Sequence, residues 1–78
     1  MPVEYHEGAA TLAGVISVED AEPLLAWLQA NPDAELDCVD CEHLHAAVLQ
    51  ALMATHAGIS GWPSNPQLRQ WLQAALEP

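Results

Sequence analysis

The sequence predicts an α/β fold bordering on α+β: a small mixed β-sheet of three to four strands with three helices, in the order β-β-α-β-α-(β)-α. Three observations predict it. Short runs with Val, Ile and Thr stand near the start, three later stretches repeat apolar residues at helical spacing, and Gly, Asn and Pro separate them. At 78 residues the chain is one domain, residues 1–78, with a thin core, because a chain this short buries only about 60–65% of its unfolded surface. Apolar residues make up 51% of it, enough to fold rather than stay disordered. With no Phe, the large core pieces are Leu, Val, Ile, Met and the tryptophans Trp27, Trp62 and Trp71.

Gly8-Ala9 reads as a turn, so a hairpin is expected, with a first strand near Val3–His6 and a second near Thr11–Ile16. A helix starts at Ser17 or Asp20. Asp20 is the better cap because it puts Pro23 in the first turn, where a missing N–H costs nothing. Ala21, Leu24, Leu25 and Leu28 form its buried stripe, with Trp27 beside it, and Asn31-Pro32-Asp33 stops it. Glu35–Val39 reads as a central strand. A second helix is expected from Leu44 to His56, apolar around most of its circumference, with Gly58 placed to end it. Ile59–Trp62 reads as a minimal edge strand or a loop. Asn65, or Ser64 with Gln67, then caps a third helix with Pro66 at its first position and Leu68, Trp71, Leu72, Ala75 and Leu76 on one face.

Charge narrows the partners. Eleven acids stand against one base, Arg69, for a formal net charge of −10. Nucleic acid is excluded, because phosphate binding needs Lys and Arg. An anionic membrane surface would repel the chain, and no apolar run reaches the ~20 residues of a bilayer span. The acidic N-terminal residues do not read as a signal peptide, so the expected compartment is the cytoplasm, with reduced cysteines. A protein partner with a basic or mixed surface remains.

Chemistry-bearing residues crowd between Asp37 and His45. Cys38, Cys41, His43 and His45 are all metal-ligand types, but four ligands within eight residues do not staple distant segments as structural zinc sites do. Cys38-x-x-Cys41 after a strand and before a helix also has a thiol-redox layout, yet Asp37, Asp40 and Glu42 disfavour the thiolate. A cysteine–histidine nucleophile pair lacks an oxyanion-hole glycine turn. The opposing reading is structural: Cys38 fills the sheet core while acids and histidines decorate a loop. No cofactor and no catalysis are expected; a metal-binding or thiol-redox protein using Cys38 and Cys41 is the alternative.

Read in order, this segment resembles the STAS domain family, which includes anti-sigma-factor antagonists and small lipid-transport accessory proteins. The family's strand end matches Leu36-Asp37-Cys38-Val39, its linker Asp40-Cys41-Glu42-His43-Leu44, and its helix start His45-Ala46-Ala47-Val48-Leu49, with Leu52-Met53 on the Leu-Leu pair. Upstream, Leu12-Ala13-Gly14-Val15-Ile16 is similar to the family's Leu-x-Gly-x-Leu strand. The resemblance covers roughly Thr11 to His56, and from Leu36 to Met53 the pattern fits without a gap. The family's phosphoacceptor Ser or Thr is Ala46 here, and the Asp before it is His45, so the resemblance implies docking without a phosphate switch. It implies partner contacts at Asp40, Glu42, His43, His45, Gln50 and Met53, with Trp62 as an apolar anchor. The chain stops after its third helix, where family members usually continue, so a homodimer or a partner is expected to cover the exposed sheet edge.

Overall fold

The computed structural model describes residues 2–76. It is a mixed α/β fold with a four-stranded sheet, a two-stranded sheet and three helices, as the composition of elements predicts. Strands β1 (Val3–His6) and β2 (Ala9–Leu12) form the expected hairpin, with Gly8 at φ 77° in its turn. The second strand does not run on to Ile16 as expected. Gly14 sits at φ 71°, a left-handed conformation that glycine adopts without steric cost. The chain turns there, and β3 (Gly14–Ile16) leaves for the second sheet.

A single 3₁₀ turn, Val18–Asp20, then leads into α1 (Ala21–Ala30). Asp20 precedes the helix, but its carboxylate folds back to accept from the Ser17 N–H at 3.0 Å and the Ser17 hydroxyl at 3.2 Å instead of capping forward. At the other end the Asn31 amide donates to the Trp27 carbonyl at 2.9 Å, closing the helix where the sequence predicts.

The central strand is shorter than Glu35–Val39: β4 is Glu35–Asp37, and Cys38–Cys41 is a tight turn closed by the Cys41 N–H on the Cys38 carbonyl at 3.0 Å. Next comes a strand the sequence reading missed, β5 (Cys41–Leu44), paired parallel to β3. The second helix is accordingly shorter than 44–56; α2 is Ala46–Ala54. Its end is capped two residues before Gly58. His56 takes the left-handed position (φ 52°), the Ala57 N–H reaches the Leu52 carbonyl at 3.1 Å, and the His56 N–H reaches Met53 at 3.3 Å. This is a Schellman closure, with a histidine in the position usually held by glycine. Gly58 instead opens β6 (Gly58–Gly61), so the 59–62 segment is largely strand. Finally, α3 (Pro66–Leu76) starts as predicted: the Asn65 side-chain oxygen accepts from the Gln67 and Leu68 N–H groups at 3.0 and 3.1 Å.

The large sheet runs β1-β2-β4-β6, antiparallel in its first pair and parallel in the other two, so β4 is interior. Its inner face carries Val3, Ala10, Leu12 and Leu36, and these meet Leu24 and Leu28 of α1 and Val48 and Leu52 of α2 in one core. Ile16 and Leu44 from the small sheet and Leu68 and Leu72 from α3 complete it. Tyr5 closes the β1 end against Trp27, ring centroids 5.2 Å apart. The opposite face of the large sheet carries Glu4, His6, Glu35, Asp37 and Ser60, all exposed.

Candidate functional site

The site grows out of an irregularity in β5. Regular alternation cannot bury both Cys41 and Leu44, three residues apart, on one side of a strand. Here Gly14 pairs with Cys41 but Val15 pairs with His43, so Glu42 is an extra residue in the ladder. This bulge turns Cys41 and Leu44 into the core and leaves Glu42 and His43 both outside. Val15 stands in register with His43 and is 59% exposed.

Hydrogen bonds fix α3 beside this strand. The Cys38 N–H donates to the Gly61 carbonyl at 2.7 Å, and the Ser64 N–H and hydroxyl both donate to the Val39 carbonyl, at 3.1 and 3.0 Å. The turn before β5 and the loop before α3 are thereby tied. A groove of about 350 Å³ results, lined by Glu42, His43, Asn65, Gln67, Leu68 and Trp71. Trp71 is 43% exposed on its wall.

Of the residues singled out by sequence, Glu42 and His43 meet in this groove. Asp40 is exposed in the adjoining turn, its carbonyl accepting from the Gly14 N–H at 2.9 Å. His45 is exposed at the N-terminus of α2, where its Nδ1 accepts from the Ala47 N–H at 3.0 Å and so caps the helix. Gln50 faces elsewhere, lining a shallow apolar groove with Leu25, Ala47, Ala51 and Ala54 between α1 and α2. Met53 is exposed on α2. Trp62 is half-buried against the core. The tryptophan that borders Glu42 and His43 is Trp71, which the helical spacing had placed on the buried stripe; no sequence signal separated it from Leu68 and Leu72.

His45 is a weak cap, and α2 has no acid in its first turn. His45→Asp is expected to raise stability by about 0.5–1 kcal/mol, because a carboxylate both caps and complements the helix dipole. A lower denaturation midpoint in urea would contradict this.

The cysteines point inward. Both are free, and Cys38 and Cys41 are 0% and 2% exposed. Burial, helped by Cys41 and Asp37, pushes the Cys38 thiol up from 9.0 to about 12. Burial also raises Cys41, partly offset by a backbone hydrogen bond at His43 and with Glu42 adding to the rise. Neither environment favours a thiolate. Among the described residues no three Cys, His, Asp or Glu side chains are grouped to hold a metal ion.

The thiol shifts set a pH dependence. The folded chain holds the Cys38 proton above 9.0, where the unfolded chain releases it, so stability present below about pH 9 is lost as pH rises toward about 12. Urea midpoints should therefore fall on alkalinisation through that window, and Cys38→Ala should flatten the slope. An unchanged slope in that variant would refute the assignment.

No family model matches the chain, and no curated protein matches it in sequence. Among the described residues no helix is long and apolar enough to cross a membrane.

Proposed function

We propose that this chain is a small acidic, non-catalytic interaction module that docks a protein partner on β5, the start of α2 and the first turns of α3. One observation carries the reading: the β5 bulge spends a ladder residue to bring Glu42 and His43 to the surface beside a tryptophan 43% exposed. Bulges re-aim side chains at functional edges, and a part-exposed tryptophan is the residue type that most often anchors an interface. Asp40 and His45 extend the surface on either side. The net charge of −10 favours a partner whose contact surface is basic or mixed.

At family level the reading is a STAS-like regulatory role. The alternation of strands and helices supports it, and the strand at Cys41–Leu44, where the family pattern has a linker, is a departure. Position 46 is alanine, at the first turn of α2, so docking there is not switched by phosphate. Two buried free thiols and an acidic chain suit the cytoplasm.

Proximity labelling in the native cell tests this, comparing the wild-type chain with Glu42→Lys and Trp71→Ala. The reading expects a defined partner set that both variants lose while their circular dichroism stays native. Retention of the same partners by both variants would place the docking surface elsewhere.

A further inference from the structure

We infer that the groove between β5 and α3 receives a single arginine side chain from the protein partner, an inference that rests on the docking reading above. The Glu42 carboxylate, the Asn65 and Gln67 amides, the His43 ring, Leu68 and the Trp71 indole line it. At about 350 Å³ it lies at the small end of the roughly 300–1,000 Å³ typical of ligand pockets. That is room for one long side chain and not for a helix.

The groove includes the start of α3, where free N–H groups would favour an anion. None is free there. Pro66 has no N–H, the Gln67 and Leu68 N–H groups donate to the Asn65 Oδ1 at 3.0 and 3.1 Å, and the Arg69 N–H donates to the Asn65 carbonyl at 2.9 Å. The charge left in the groove is the carboxylate of Glu42, which the bulge turns outward. No Lys or Arg lines the groove with it. Arg69, the chain's one such residue, stands about 200° around α3 from both Gln67 and Trp71, on the far side of the helix. A cation that answers Glu42 in the groove therefore comes from another chain.

Trp71 selects arginine over lysine. Its indole is 43% exposed, and a planar guanidinium stacks on an aromatic face while it pairs bidentately with a carboxylate. A compact, strongly hydrated ammonium does neither as well. Leu68, buried beside the indole, gives the arginine stem an apolar wall. A single tryptophan does not make the aromatic cage that methylated lysine requires.

Selection of binders to the full 78-residue chain from a displayed library of random short peptides tests the inference. It is run at physiological salt, which screens diffuse attraction to the acidic chain. Selected sequences are expected to share one arginine at a fixed position. Exchanging that arginine for lysine in a selected peptide should weaken binding about three- to tenfold, as should Glu42→Gln or Trp71→Leu in the chain. Glu22→Gln, which removes a carboxylate on α1, should change binding less than about twofold. All three chain variants alter exposed positions, and native amide spectra before titration confirm that they fold. Peptides that need Trp71 yet bind the Glu42→Gln variant as tightly, or that accept lysine equally well, would overturn the arginine and leave the docking surface in place. Peptides indifferent to both groove variants, or a selection that enriches no sequence, would remove the surface together with its anchor. Groove shifts that grow with the concentration of the chain alone and vanish in Arg69→Gln would put a second copy there, and would overturn the inference as well.

Discussion

Leu36→Ala is expected to cost about 3–4 kcal/mol and to lower the melting midpoint by roughly 12–30 °C. Leu36 is fully buried in the interior strand β4, between Ala10 of β2 and Ile59 of β6. Removing its isobutyl group leaves a cavity where both strands and the overlying helices meet, and a sheet so placed cannot collapse to fill it. For a chain of this size, total stability is on the order of 4–12 kcal/mol, so the loss is a large fraction of the whole. Thermal melts followed by circular dichroism measure it. A fall of less than about 5 °C would mean that Leu36 is not sealed in an interior strand.

Gly61→Ala and Gly58→Ala should differ sharply, although both exchange a strand glycine for the same residue. A Cβ at Gly61 would lie 2.5 Å from the Asp37 Oδ1 and 2.8 Å from the Val39 Cγ2. Neither neighbour retreats freely, because the Asp37 carboxylate accepts the Val39 N–H at 3.1 Å. At Gly58 the nearest atom is the Glu35 Cγ at 3.8 Å, an ordinary contact. The expected cost at Gly61 is about 1–3 kcal/mol, while Gly58→Ala is near neutral or slightly stabilising through the loss of unfolded-chain freedom. Because the Gly61 carbonyl also holds the Cys38 N–H, the Gly61 variant should perturb the Trp71 indole resonance as well. Equal midpoints for the two variants would show that the close approach is absent.

The parts of this fold that local chemistry dictates were legible in the sequence. Asn65-Pro66-Gln67 starts a helix because cap, fixed φ and free first-turn N–H groups are all decided within four residues. The Val3–His6 strand and the stop at Asn31 are of the same kind. Non-local events were not legible. Cys41-Glu42-His43-Leu44 has apolar residues three apart, a helical spacing, and only pairing with Gly14–Ile16 plus a bulge makes it a strand. The closure at His56 was missed because glycine is the usual left-handed residue, yet histidine also enters that region more readily than most. At the site, the sequence pointed to Glu42 and His43 but to Trp62 rather than Trp71, because which tryptophan borders them depends on the Ser64–Val39 tie between two loops.

The strand pairing also bears on how quickly the chain folds. The β1–β2 hairpin closes over a two-residue turn, whereas β2–β4, β4–β6 and β3–β5 each pair across a segment of more than a dozen residues. Each of these closures loses chain entropy before its ladder and core contacts form. The hairpin alone buries too little to hold, so the rate-limiting ensemble must already dock α1 and bring β4 alongside β2. Folding should then be slower than that of a helical bundle of equal length. A truncation in β4 is expected to slow refolding, whereas one in α3, outside the β1–β2–β4 unit, is expected mainly to hasten unfolding.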